Sequence, residues 1–265
     1  MDKPLIAVDL DGTLLDTKGR YSDRTRDFFR ELSAQGYPVV LASGRPYRAM
    51  RHIYEDLHCF APVIAYNGQL IFNPSDPAFP RYEKRFPKEC VRALYRTLES
   101  HVDAFMAETE ETVFVNVRDE RLDRYFPYAG MGLCEGPLDR TVGEDVFTCL
   151  FKSTALDENE FRRIVRRHDD IDWRSWSDGV YSELFFPACD KGIALGRLLE
   201  ETNLSPRDAF AFGDAENDIS MLRLVGHPYA MRGCKSALAN AGFPLTENPV
   251  DGDGVMETLS KALSL

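Results

Sequence analysis

The chain is short of positive charge. Its 265 residues carry 32 Lys and Arg against 43 Asp and Glu, a formal charge of −11, which argues against nucleic acid or an anionic membrane surface as the main partner. A phosphorylated small molecule stays compatible, because a local cation site overrides the global field. Histidine is scarce: the five present, His52, His58, His101, His168 and His227, show no H-x-x-x-H spacing, so a helical histidine metal site is not indicated. The six cysteines, Cys59, Cys90, Cys134, Cys149, Cys189 and Cys234, contain no C-x-x-C pair. That argues against a zinc cluster or redox dithiol, and points to buried free thiols in a reducing compartment. No apolar run approaches bilayer length, and no basic start followed by an apolar stretch and a cleavage site opens the chain, so a cytoplasmic address is expected.

What is present is ordinary globular material, 44% hydrophobic and 28% charged, with one unusual run, Leu5-Ile-Ala-Val-Asp-Leu-Asp-Gly-Thr-Leu14. The apolar start suits a central parallel strand buried on both faces. Asp9 and Asp11 would then stand at its carboxyl end, where open α/β sheets bind ligands. Two carboxylates this close repel each other, so a cation is expected beside them, and magnesium is the first choice.

The first third alternates strand and helix. Leu5–Val8 reads as strand, Asp23–Gln35 as helix ending at Gly36, Tyr37–Ala42 as a second buried strand and Tyr47–Leu57 as helix. Val63–Tyr66 and Gln69–Phe72 read as a hairpin around an Asn67-Gly68 type I′ turn. The proline-bearing stretch Pro74–Pro80 reads as a linker. Beyond it the pattern is mixed: a helix over Lys88–Glu99, strands over Thr112–Val117, Phe147–Ser153 and Tyr181–Phe186, and a helix over Glu158–Arg167. The last portion returns to alternation, with a helix over Lys191–Glu201, a strand over Asp208–Phe212 and a helix over Asn217–Leu224. The expected architecture is α/β: a doubly wound, Rossmann-like parallel-sheet core from residues 1–82 and 188–265, with an α+β cap inserted over 83–187.

Four polar segments follow strand ends or open helices: Asp9 and Asp11; Ser43 in Ala42-Ser-Gly-Arg-Pro46; Lys191 in Asp190-Lys-Gly-Ile193; and Asp214 in Gly213-Asp-Ala-Glu-Asn-Asp218. In a parallel sheet these ends share one rim. A carboxylate approaching a phosphate dianion is repelled by about 4 kcal/mol per unit pair at about 4 Å and an effective dielectric of about 20. A metal ion and a lysine can offset that. Ser43 can donate its hydroxyl to a phosphoryl oxygen, Lys191 can neutralise another, and the backbone amides around Leu10 and Gly12 can approach the same oxygens.

The set resembles the haloacid dehalogenase-like hydrolases, whose motifs D-x-D-x-T, a Ser or Thr after a strand, a Lys, and G-D-x-x-N-D match Asp9–Thr13, Ser43, Lys191 and Gly213–Asp218 in order. The long insertion resembles the Cof-type branch with its large C2 cap. The resemblance implies a Mg²⁺-dependent phosphatase for a small phosphorylated metabolite, a sugar phosphate or a phosphorylated cofactor. It implies Asp9 as the nucleophile that becomes an aspartyl-phosphate and Asp11 as the proton donor and acceptor. Metal would be held by Asp9, the backbone carbonyl of Asp11 and Asp214. Phosphate would be bound by Leu10, Gly12, Ser43, Gly44, Lys191 and Asn217, with Thr13 and Asp218 in support. One departure is Met231-Arg-Gly-Cys234, where Cof-type chains carry an M-G-N-A-like turn.

Other readings stay open. A phosphomutase would use the same aspartyl-phosphate, and a non-catalytic phospho-ligand or metal sensor could share the fold, although intact Asp11 and Lys191 count against a disabled enzyme. Ser43-Gly44 could simply start a helix, and Asp214–Asp218 could be an acidic helix start. Asn67-Gly68 reads as a turn rather than a ligand. Arg45 and Glu183 could meet substrate or form surface ion pairs. Arg162, Arg163, Arg166 and Arg167 read as a solvated helix face.

Overall fold

A computed structural model describes residues 3–128, 130–153, 157–165, 170–176 and 179–265. Arg166, Arg167 and His168 lie outside the described residues. The chain divides into two compact units, Met1–Glu83 with Asp190–Leu265, and Lys84–Cys189.

Unit 1 begins with β1 (Ile6–Val8), α1 (Asp23–Ala34), β2 (Val39–Leu41), α2 (Tyr47–Asp56), β3 (Val63–Ala65), β4 (Leu70–Phe72) and β5 (Tyr82–Glu83). Unit 2 holds α3 (Lys88–Leu98), β6 (Ala104–Glu108), β7 (Thr112–Val115), α4 (Glu120–Tyr125), β8 (Gly132–Glu135), α5 (Leu138–Thr141), β9 (Thr148–Lys152), α6 (Glu158–Val165), β10 (Asp172–Ser175) and β11 (Tyr181–Phe185). The chain returns to unit 1 with α7 (Lys191–Thr202), β12 (Phe210–Gly213), α8 (Ile219–Leu224), β13 (His227–Ala230), α9 (Ser236–Ala239) and α10 (Gly254–Leu263).

The core sheet of unit 1 has the order β13-β12-β1-β2, all parallel. β1 is central, and its residues Ile6, Ala7 and Val8 are fully buried. Its register pairs Val8 with Phe212 on one side and Leu41 on the other, so Asp9, Asp214 and Ser43 emerge from three neighbouring strands at one edge. One face of the sheet is covered by an apolar cluster in which Ala7, Val40 and Ala211 meet Leu195, Leu198 and Leu222. α1 starts where the Ser22 side chain accepts from the Thr25 amide at 3.0 Å, and buries Phe29 and Leu32. α7 starts where Asp190 accepts from the Ile193 amide at 2.7 Å, which fixes Lys191 as the first helical residue.

Unit 2 is a six-stranded sheet, β10-β11-β9-β6-β7-β8, antiparallel except for the β7–β8 pair. Its core joins Phe105, Phe151, Phe161, Trp173 and Leu184 to Val91 and Leu94 of α3. Arg162 and Arg163 are exposed, as a solvated helix face requires, and the Arg162 guanidinium lies over the Trp173 ring at 5.8 Å. Glu183 accepts from Arg174 at 2.5 Å. Among the described residues no helix is long and apolar enough to cross a membrane, and all six cysteines are free thiols.

The hairpin turns where expected: Ala65 pairs with Leu70, the Gln69 amide donates to the Tyr66 carbonyl at 3.2 Å, and Asn67 (φ 54°, ψ 29°) and Gly68 (φ 103°) have the left-handed backbone of a type I′ turn. Two other local expectations change. The stretch 74–80 is not a connector between units; it joins β4 to β5 inside unit 1, and β5 pairs with β4. The helix expected from Asn217 is a 3₁₀ turn, Glu216–Asp218, running into α8 at Ile219.

Candidate active site

The site is built on β1. Asp9 is 5% exposed, and its amide is held by the Phe212 carbonyl at 3.1 Å. Lys191 is fully buried, and its Nζ donates to Asp9 Oδ1 at 2.5 Å and to Asp218 Oδ1 at 2.6 Å. Burial alone would drive the proton off Lys191; the Asp218 and Asp9 charges outweigh it and hold the ammonium above its ordinary value. Lysine reaches this depth because α7 and the start of α8 nearly touch: a Cβ on Gly192 would fall 2.5 Å from the Ser220 carbonyl carbon.

Asp218 is spent on structure. Its Oδ2 accepts from the Asp214 and Ala215 amides, both at 3.0 Å, while Oδ1 holds Lys191. The two aspartates are therefore brought together by side-chain capping of the turn. Asp214 has no hydrogen-bond partner for its carboxylate among the described residues. Burial, then repulsion from Asp218, pushes it up to about 6. Burial likewise lifts Asp9 above the usual carboxylate range, against the pull of Lys191, with Asp218 and Asp214 adding to the rise.

Oxygens of Asp9, Asp214 and Asp218 lie within 4.8 Å of one another. Three converging carboxylates with one lysine leave negative charge uncompensated, and the carboxylate without a partner is the one at the mouth of the group. A hard divalent cation with oxygen ligands fits that arrangement. Asp9 and Asp214 are the carboxylates that could reach it, since Asp218 is fully engaged.

Gly12 contributes differently from the expectation. Its amide donates to the Leu15 carbonyl at 2.9 Å, so it is not available to a phosphoryl oxygen; the Leu10 amide, by contrast, has no acceptor among the described residues. What Gly12 supplies is space: its φ is +84°, and a Cβ there would sit 2.6 Å from Asp214 Oδ2. Gly12→Ala is expected to lose about 1–2 kcal/mol from left-handed backbone alone and to displace Asp214, so that Mg²⁺ no longer raises the melting temperature. A variant that melts lower but keeps its full Mg²⁺ response would separate the two effects and remove Gly12 from the site.

Ser43 is 1% exposed; its Oγ accepts from the Arg45 amide at 3.1 Å, leaving its proton to donate. The Thr13 hydroxyl is buried without a partner among the described residues. Two residues here were not assigned from sequence. Arg45 clasps Asp11 with two bonds, Nε to Oδ2 at 2.8 Å and Nη2 to Oδ1 at 2.5 Å. Asn67 accepts from Asn217 Nδ2 at 2.9 Å. The Arg45 contact was open in the sequence as one of two readings, whereas nothing there pairs Asn67 with a residue 150 positions away.

Comparison with known proteins agrees with this geometry. The sequence model of the haloacid dehalogenase-like hydrolases matches residues 6–259. The chain is similar to 5-amino-6-(5-phospho-D-ribitylamino)uracil phosphatase YitU of Bacillus subtilis strain 168, 29% identical over 265 residues covering 98% of each chain. It is similar in structure to a haloacid dehalogenase-like hydrolase from Bacteroides thetaiotaomicron, with a TM-score of 0.82 and 26% identity over 98% of this chain and 99% of the other. The protein TM0651 of Thermotoga maritima gives a TM-score of 0.81 and 25% identity over 98% and 97%. A match that begins at the first residue of β1 and ends inside α10 leaves neither unit outside it: the chain belongs to the haloacid dehalogenase-like hydrolases, as a phosphohydrolase of their Cof-type branch.

Proposed function

We propose that this phosphohydrolase cleaves a small phosphomonoester in two displacements at Asp9, with Mg²⁺ bound beside it. The observation that carries the reading is the buried group of Asp9, Lys191, Asp218 and unpartnered Asp214. An Asp9 oxygen attacks phosphorus and the ester P–O bond breaks, giving an aspartyl-phosphate and an alkoxide that takes a proton from Asp11. Asp11 then takes a proton from water as that water attacks phosphorus, and Asp9 leaves as the carboxylate. For either proton step Asp11 must give up at least one of its two bonds to Arg45. Ser43 and the Leu10 amide face the phosphoryl oxygens, Asn217 supports them, and Lys191 neutralises charge at Asp9. Asp9, Asp214 and the Asp11 carbonyl would hold Mg²⁺, which when bound supplies charge neutralisation at the phosphoryl group.

Substrate choice is assigned to unit 2, 84–189, the part of the chain that carries none of the four motifs. The Bacillus subtilis relative is named for a phosphorylated ribityl chain on a uracil. A polyhydroxylated phosphomonoester of that kind, or a sugar phosphate, is the first to assay here.

The test combines turnover with metal-linked stability. Phosphate release should require Mg²⁺ and stop with a chelator; release of inorganic phosphate, rather than an isomerised ester, separates hydrolysis from mutase chemistry. Saturating Mg²⁺ at a hundredfold excess over Kd should stabilise the fold by about 2.7 kcal/mol. Asp214 has a folded value of about 6, above its unfolded one, so its contribution to stability without metal is complete at low pH and declines as pH rises through about 6. Metal must displace that proton and the one on Asp9, which burial raises to about 8, so the Mg²⁺-induced rise in melting temperature should be small at pH 5 and still growing between pH 7 and pH 8. Asp214→Asn should abolish the rise and melt higher than the parent without metal. A Mg²⁺ response independent of pH, or one kept by Asp214→Asn, would sink the assignment.

A further inference from the structure

The hairpin turn after β3 carries one strained residue that the turn does not require. Asn67 and Gly68, at φ +54° and +103°, stand where a type I′ turn needs positive φ and where asparagine and glycine tolerate it; Tyr66, at +49°, is a genuine outlier for a bulky side chain. Such strain persists where the surroundings hold the backbone in place, and it gathers at functional sites. Here the holding groups belong to the motifs. The Tyr66 amide donates to the Arg45 carbonyl at 3.1 Å and the Asn67 amide to the Ser43 carbonyl at 3.0 Å. Gly68 lies on the residue before Lys191: a Cβ there would fall 2.5 Å from the Asp190 carbonyl oxygen.

The Asn67 side chain adds a second tie. Its Oδ1 accepts from Asn217 Nδ2 at 2.9 Å, and a Cβ on Gly44 would stand 3.0 Å from its Nδ2. One residue therefore touches the Ser43-Gly44 segment through its backbone and side chain, and the Asp214–Asp218 segment through Asn217. A turn needs a residue that tolerates positive φ; it needs no carboxamide.

We propose that Asn67 is a positioning residue for the phosphoryl site. It locks Ser43, at the end of β2, against Asn217, beyond β12, so that donors from two strand ends converge on one group. An amide is planar, so anchoring one N–H of Asn217 sets the direction of the other and of its oxygen. The inference rests on the proposed reading that Ser43 and Asn217 serve the phosphoryl group, and its test separates the two.

Asn67→Gly keeps positive φ without penalty and removes only the carboxamide. Turnover, inhibition by orthophosphate and melting temperature are measured for Asn67→Gly, Asn217→Ala, the double variant and Ser43→Ala. Misplacing donors by a fraction of an ångström should cut kcat and weaken orthophosphate inhibition by about tenfold each, with melting within about 3 °C of the parent. Because one variant removes what the other is tied to, the double variant should be no worse than the poorer single one. Asn67→Asp keeps the acceptor for Asn217 but adds a charge, so it should recover kcat while KM stays raised. If Ser43→Ala and Asn217→Ala leave orthophosphate inhibition unchanged, the site reading fails. If they weaken it and Asn67→Gly does not, or if the Asn67 and Asn217 effects multiply independently, the positioning role is overturned. Asn67→Asp no better in kcat than Asn67→Gly would overturn it equally.

Discussion

Lys191→Met is expected to cost the enzyme at least about a thousandfold in turnover and about 3–5 kcal/mol in stability. Methionine fills a similar volume, so packing is nearly conserved and the loss isolates the charge. The ammonium is fully buried between Asp9 and Asp218, and its removal leaves two carboxylates facing each other without a counter-ion. Asp9, already raised by burial, loses the cation that opposed the rise and keeps its proton to higher pH in the folded state. A carboxyl shifted that way supports the fold fully below its unfolded value and loses that support as pH rises through the folded value. The stability deficit of Lys191→Met should therefore be small near pH 4 and largest at pH 8, read as urea midpoints across that range. A deficit of equal size at every pH would mean that packing, not charge, is what the lysine supplies.

The buried lysine shows where sequence reading succeeds and where it stops. β1 was legible because Leu5–Val8 is an apolar run cut off by a charged residue, and a strand buried on both faces leaves nowhere for Asp9 except the carboxyl end. The same reasoning placed Ser43 after β2 and Asp214 after β12, and Lys191 was legible as the opening of a helix. Pairings between those ends were not. That Asp218 holds Lys191 depends on a 3₁₀ turn whose backbone amides turn its carboxylate inward, and that Gly12 makes room for Asp214 depends on a distance no spacing encodes. The short strands β6 and β13 were missed because Ala104–Glu108 has no β-branched residue and His227–Ala230 carries Pro228 in an edge position, where a missing donor costs little. α10 was missed because Gly254 opens it and glycine argues for loop.

Arg45 belongs to the same class of hidden contact. Its guanidinium lies across Asp11 from a loop 34 residues later, and the pair is only partly exposed, 20% and 46% for the two side chains. An ion pair this open is worth at most about 1 kcal/mol, which suits the proposed role of Asp11 as proton donor and acceptor, since that role requires the contact to loosen. The contrast with Lys191 is instructive. The buried cation is fixed by two carboxylates, whereas the partly exposed one holds a carboxylate that the proposed proton transfers require to loosen.

Asp9→Asn should abolish phosphate release, by about 10⁴-fold or more, while leaving the fold as stable as the parent or more so. A neutral amide oxygen cannot attack phosphorus and remain a leaving group for the second step, so both displacements fail. Stability goes the other way because ionised Asp9 is a burden to the protein without metal: burial, together with the Asp218 and Asp214 charges, opposes its negative form more than Lys191 favours it. Asparagine keeps an oxygen for the lysine, which retains Asp218 as its charged partner. The sign follows from linkage: the parent loses stability as pH rises through the raised folded value of Asp9, and the variant, having no group to titrate there, does not. Without metal the two proteins should melt together near pH 5 and diverge in favour of Asp9→Asn by pH 8, each 1 kcal/mol appearing as about 2–4 °C. Mg²⁺ should reverse the order, because only the parent gains the ligand. Measured turnover in Asp9→Asn would overturn the nucleophile assignment, and a variant that melts well below the parent at pH 8 without metal would show that Asp9 is needed as the structural partner of Lys191.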